Sequence, residues 1–187
     1  MKSVLISIRP KWCELIASGE KTIEVRKTRP KLKTPFKCYI YCTKGDTHKL
    51  DGHHTNACRE KFWIGKPLNN LSGGRYVGNS KVIGEFVCDA IYPISVTYAD
   101  PNNHLARRDF PFTGMTDKKI MDYLGNGEAG YGWHISDLVI YDEPKELSEF
   151  RKPVICHRGI ERDNCVGCWD CEIKRPPQSW CYVEELR

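Results

Sequence analysis

Three things are missing from this 187-residue sequence, and each excludes a class of protein. No apolar run approaches the roughly 20 residues that a membrane-spanning helix needs, which excludes an integral helical membrane protein. The first apolar patch, in MKSVLISIRPKW, ends at Arg9 and Pro10 and reads as a strand, not a secretory leader, so a cytoplasmic protein with no membrane partner is expected. There is no internal repeat and no low-complexity tract, which excludes solenoids and disordered scaffolds. Acidic residues are also absent from 25 to 45, where Arg26, Lys27, Arg29, Lys31, Lys33, Lys37 and Lys44 stand unbalanced. A one-sign run of this kind is either a solvated loop or a phosphate-facing patch.

Hydrophobic residues make up 40% of the chain and charged residues 28%, a balance that supports a packed core in one domain plus an appendage. The net charge of +5 favours an anionic partner only slightly. Cysteine, by contrast, is abundant. In a reducing compartment ten cysteines are thiols or metal ligands and not a disulfide frame.

Periodicity sets the order of elements. Val4, Ile6 and Ile8 alternate with Leu5, Ser7 and Arg9 as a first strand. Pro10 suits the first position of a helix, whose apolar face is Trp12, Leu15 and Ile16 and whose end is Gly19. The segment 21–26 returns to a period of two, with Thr22, Glu24 and Arg26 on one face. Further strands are predicted over 37–43, 81–92, 133–141 and 180–183, with a bulge or close backbone approach at Gly84. Short helices are predicted over 116–124, capped by Thr116, and from Pro144 to Phe150. The glycine-rich stretch 44–80 reads as a long insertion with little regular structure, placed to act as a lid. Several strands with isolated helices predict an α+β fold built on a small mixed β-barrel with flanking helices.

One constellation carries chemistry. Glu24 and Arg26 sit two apart on one strand, about 7 Å from one another along the backbone, and Lys21 stands at its start. A guanidinium fork, a mobile ammonium and a carboxylate together suit a phosphate or a base edge, and Trp12 offers a stacking face. On the pattern alone, the same residues fit an exposed ion pair beside a core tryptophan better, because such pairs are common.

The run Ile6-Ser-Ile-Arg-Pro-Lys-Trp12, then Leu15-Ile16, then Gly19-Glu-Lys-Thr-Ile-Glu-Val-Arg26, resembles the signature of the ASCH domain, a branch of the PUA-like superfamily. The resemblance covers the first quarter of the chain densely and the strands to Tyr141 more loosely. It implies a PUA-like barrel over 1–150 with the insertion at about 44–80, and a cleft lined by Lys21, Glu24 and Arg26. The implied partner is RNA, a nucleotide or a modified nucleoside; the residue pattern, not the resemblance, adds Arg9, Trp12, Arg29, Lys31 and His134 as candidate contacts. One branch of the family hydrolyses acetylcytidine with a lysine and, three residues later, a threonine. Lys21 matches that lysine, whereas Glu24 stands at the threonine position. If the chain is a hydrolase of modified nucleosides or of RNA, Lys21 and Glu24 are its candidate catalytic residues.

The remaining stretch, 151–187, reads as a cysteine-rich appendage packed on the same domain. Cys165, Cys168 and Cys171 are spaced by two residues, with Cys156 and His157 before them and Cys181 after. Structural zinc needs four ligands and draws most often on thiolates so spaced, so zinc is the expected metal, held by Cys165, Cys168, Cys171 and a fourth ligand from Cys156, His157 or Cys181, of which Cys156 is chosen. An iron–sulfur cluster is the rival, but Arg175 stands where its next cysteine belongs. Cys13, Cys38, Cys42 and Cys88 fit core positions. His48, His53, His54 and Cys58 read as loop residues. The segment Arg175 to Trp180, with its proline pair, is assigned no role.

Overall fold

The computed structural model describes residues 1–45, 49–50, 53–54, 62–64, 76–95, 111–125, 129–154, 168 and 170–186. Its first strand, β1 (Lys2–Ile8), leads into α1 (Pro10–Ala17), then β2 (Ile23–Arg26) and β3 (Phe36–Cys42). Arg9, extended at φ −71° and ψ 149°, stands just before α1, where its carbonyl accepts from Trp12 and Cys13 N–H, and Pro10 follows with its φ already suited to a helix. Gly19, at φ 80°, ends the helix as expected. The strand, helix and strand do not form one sheet. β1 pairs in parallel with β3, Ile6 opposite Ile40, while β2 leaves for a second sheet, so α1 links two layers.

Within the insertion the described residues form two minimal hairpins, β4 (Lys49–Leu50) with β5 (His53–His54), and β6 (Trp63–Ile64) with β7 (Tyr76–Val77). The lid expected there falls largely outside the described residues. The segment predicted as one strand over 81–92 is two: β8 (Lys81–Cys88) and β9 (Ile91–Ser95), parted at Asp89 and Ala90. The segment 133–141 is likewise divided into β10 (Ala129–His134) and β11 (Ser136–Lys145) at Ile135. Both breaks are corners where the chain passes between sheets, and backbone bonds from His134 N to Ala90 O and from Ile135 N to Thr22 O close them. Period-two alternation runs straight through such a corner and does not mark it.

Helix α2 (Asp117–Leu124) is capped by Thr116, whose side chain accepts from Lys119 N–H. Pro144 does not open a helix. β11 runs through it to Lys145, and only a single 3₁₀ turn follows, Leu147–Glu149, closed by reciprocal side-chain bonds of Glu146 and Glu149. The final strand, β12 (Trp180–Glu184), pairs antiparallel with β1, so the end of the chain forms a sheet edge.

The five-stranded sheet has the order β11-β8-β3-β1-β12 and the larger three-stranded partner the order β2-β10-β9. This mixed α+β architecture agrees with the sequence, but the expected barrel is not closed: no ladder among the described residues joins the sheets or the two edges. The corners turn the chain through backbone bonds instead of extending a ladder. The main core lies between the sheets and α1, where Val4, Ile6, Ile8, Ile16, Ile40, Phe86 and Trp133 are almost wholly buried. On the other side of the three-stranded sheet, Val25 and Ile94 pack against Ile120 and Leu124 of α2.

Gly84 meets the expectation of a close approach. A Cβ there would stand 2.3 Å from the Val139 carbonyl oxygen, and the β3–β8 register shifts just beside it.

Candidate functional site

Residues 21–26 lie under the main core and are closed in, not exposed. Lys21 is 1% exposed, and Glu24 and Arg26 are 6% exposed each, so the surface ion pair compatible with the pattern is overturned. The carboxylate of Glu24 joins the two cations. One oxygen lies 2.9 Å from Arg26 Nη2 and the other 3.2 Å from Lys21 Nζ. Lys21 Nζ also donates to the carbonyls of Ile23 and Thr113, both at 2.7 Å, so all three hydrogens of an ammonium have acceptors.

Arg26 works as a clamp between distant segments. Its Nη2 donates to Ser7 O at 2.7 Å, and Nη1 lies 3.4 Å from Ser179 O and 3.3 Å from Ser179 Oγ. Ser7 in turn donates from Oγ to Pro177 O at 2.6 Å. The segment that the sequence left without a role is therefore the wall of the triad. Arg26 Nε is buried and, among the described residues, has no hydrogen-bond partner, as is Nε1 of Trp133.

The sheet register explains what surrounds the triad. Glu24 is opposite Trp133 and Arg26 opposite Tyr131, so all four side chains share one face of the three-stranded sheet. His134, by the same alternation, projects from the opposite face. Its Nδ1 lies 2.6 Å from Asp89 Oδ1 at the β8–β9 corner, and the structure does not bring it to Glu24. Burial would raise the Asp89 carboxyl, but the His134 hydrogen bond and charge outweigh it and hold the group below its usual range.

At the rim, Trp12 is half-buried and packs on the core, with Lys21 Nζ 5.5 Å from its ring centre. The turn Pro111–Thr113 lies alongside, tied by Thr22 N–H donating to Phe112 O at 2.9 Å, and Phe112 is 55% exposed. Gly114 permits that contact: at φ +66° it needs no side chain, and a Cβ would stand 2.9 Å from Leu15 Cδ1. Arg9 is exposed at the start of α1. Arg29 and Lys31 are exposed beyond β2, the former 5.5 Å from the ring centre of Tyr131.

Two residues of the cysteine set, Cys168 and Cys171, are buried together. Cys156 and Cys165 lie outside the described residues, and among the described ones no three His, Cys, Asp or Glu side chains group as a metal site. Cys13, Cys38, Cys42 and Cys88 are core thiols, as expected.

Sequence reasoning missed Thr113, Ser179 and Trp133. Thr113 and Ser179 contribute backbone carbonyls to the triad, and no residue pattern announces a carbonyl. Trp133 was legible only as part of a strand.

The family model for the ASCH domain matches residues 6–84, which contain the amino-terminal signature and all three triad residues. The fold is also that of an ASCH protein from Zymomonas mobilis, at 19% identity over 98% of this chain and 88% of that one, with a TM-score of 0.51. A serine-to-alanine variant of that protein gives 19% identity, 98% and 89% coverage and a TM-score of 0.55. No curated protein matches the chain. ASCH domains are PUA-like folds associated with RNA binding. No helix among the described residues is long and apolar enough to cross a membrane.

Proposed function

We propose that this ASCH domain binds RNA or a nucleotide, with the ligand recognised at Lys21, Glu24 and Arg26 and its phosphates met by Arg9, Arg29 and Lys31. The observation that carries the reading is the charge of the buried triad. Two cations share a single carboxylate, which leaves one positive charge inside the protein, softened by backbone carbonyls and the Ser179 hydroxyl. A buried net charge is costly unless it serves a partner, and an acceptor-rich or anionic ligand is the complementary one. Arg26 Nε supplies a donor not yet used, and Trp12 a flat face for a base.

Binding of a nucleoside and of a short single-stranded RNA to the wild type, Arg26→Lys and Trp12→Ala tests this. Arg26→Lys keeps the charge and removes the planar fork, so it weakens binding while circular dichroism stays native. Equal affinity in all three proteins overturns the reading.

Hydrolysis of a modified nucleoside or of RNA by Lys21 and Glu24 is the second reading, favoured by their 3.2 Å approach. Against it, both oxygens of Glu24 and the full ammonium of Lys21 are already engaged. Turnover of acylated cytidines or RNA that disappears in Lys21→Met would establish it.

For the tail we propose zinc held by Cys156, Cys165, Cys168 and Cys171. Its support is the thiol spacing and the buried pair Cys168 and Cys171, which flank a turn closed by Cys171 N–H and Glu172 N–H on Cys168 O at 3.2 and 2.9 Å. Elemental analysis of the purified protein, finding about one zinc per chain or none, decides it.

A further inference from the structure

The loop between β2 and β3 alternates like a strand although it belongs to no sheet. Arg29, Lys31 and Lys33 are exposed, while Pro30 is buried and Leu32 is half-buried against the core. Three exposed cations therefore lie within five residues of one loop, whose backbone bends at Lys31 and Leu32. Some cations elsewhere are paired: Lys21 and Arg26 share Glu24, Lys37 meets Glu85, and Lys81 meets Glu146. Among the described residues no carboxylate pairs with Arg29, Lys31 or Lys33. The loop lines a pocket of about 440 Å³ together with Ile91. That volume lies in the range of small-ligand sites.

The loop is also held open from outside. Lys31 N–H donates to Tyr182 Oη at 2.8 Å, and Trp180 Nε1 donates to Thr28 Oγ1 at 3.0 Å. Both anchors come from β12. Arg29 rests 5.5 Å from the Tyr131 ring centre, in a contact that a phosphate can replace. Like charges repel one another, so a loop that gathers three of them while bonded to another strand is complementary to an anion with several charges.

We propose that residues 29–33 form a receptor for a run of successive phosphates, distinct from the buried triad, with Lys33 as its third cation and Tyr182 as a positioning residue. This rests on the reading that the ligand is a nucleotide or a nucleic acid. The run of phosphates belongs either to the polyphosphate of a free nucleotide or to the phosphodiester backbone of a strand.

The experiment titrates the full chain with inorganic tripolyphosphate, a short oligouridylate and unphosphorylated uridine and cytidine. It compares wild type with Lys33→Glu, Lys31→Glu, Tyr182→Phe and a distant reversal, Lys81→Glu. For the phosphate probes, each loop reversal lowers affinity about tenfold or more, the loss of one hydrogen bond to a charged group. It also lowers the salt slope by about one, and Lys81→Glu does neither. Tyr182→Phe weakens the same probes with an unchanged salt slope and an unchanged melting temperature, a pattern a purely structural role would not give. Tighter binding of tripolyphosphate assigns the site to a free nucleotide, and tighter binding of oligouridylate to a strand.

Absence of binding by both phosphate probes, or loop variants no weaker than Lys81→Glu, overturns the proposal. The nucleosides separate its failure from that of the parent reading. If oligouridylate and nucleosides bind and the loop variants are silent, the loop falls and the triad stands. If tripolyphosphate binds through the loop while nucleosides and RNA do not bind, the loop stands and the triad reading falls.

Discussion

Glu24 and Arg26 face each other inside the protein at 2.9 Å, and the same guanidinium reaches Ser7 O on β1. One side-chain pair thus fastens the second sheet to the first. Removing the carboxylate leaves two buried cations without their counter-charge, which costs about 3–5 kcal/mol in comparable sites. Glu24→Gln is therefore expected to lower the stability measured by urea denaturation by that order. A loss below about 1 kcal/mol, the range of an exposed pair, contradicts the buried geometry.

Gly84 offers a second stability test. The atom that an added Cβ would meet is a backbone oxygen, Val139 O, which cannot swing aside. Gly84→Ala is expected to cost about 1–3 kcal/mol or more by the same assay, as overpacking does. A neutral substitution would mean that β8 and β11 do not approach as described.

Much of the frame was legible. Pro10 and Gly19 mark α1, Thr116 marks α2, and the alternation of 37–43 gives β3 almost residue for residue. The corners were not, because Lys81 to Tyr92 keeps its strand-like residues across the break at Asp89 and Ala90. Nor was the burial of the triad. Charged residues at period two read as exposed unless their partners are known, and here those partners are carbonyls 92 and 153 residues away, at Thr113 and Ser179. His134 is a related case: its place on a strand was legible, but its position beside Asp89 and not beside Glu24 depends on a register that only pairing with β2 reveals.

On the outer side of the five-stranded sheet, Lys37 Nζ lies 2.9 Å from Glu85, which also accepts from Tyr141 Oη at 2.6 Å. Burial would raise the Glu85 carboxyl, but the bonds from Tyr141 and Lys37 outweigh it and lower the group from its ordinary value of 4.5. The Glu85 bond raises Lys37 from its ordinary 10.5. The carboxylate contribution is thus present above pH 4.5 and lost as pH falls through the lower folded value; the lysine contribution is present below pH 10.5 and lost as pH rises through the higher one. Denaturation midpoints of wild type and Glu85→Gln should differ most between these limits and converge in acid. A difference that persists unchanged in acid contradicts the pair.

The core thiols should be inert. Burial pushes Cys88 up to about 12 and Cys181 up to about 11, and raises Cys13 and Cys38 well above their usual value. Because the thiolate is the reactive form, iodoacetamide at neutral pH should leave these four unmodified in the folded protein and label them in urea, as mass spectrometry of the digest would read. Labelling of Cys13 or Cys38 under native conditions would contradict their place between the sheets.

If the domain binds a polyanionic nucleotide ligand, as proposed, RNA binding depends steeply on salt. Titrating a labelled single-stranded RNA over a series of salt concentrations should give a logarithm of affinity that falls linearly with the logarithm of salt, with a slope of about −0.7 per phosphate neutralised. That slope should shrink in Arg29→Glu and Lys31→Glu. Absence of binding at low salt, or an affinity that does not change with salt, would contradict the account.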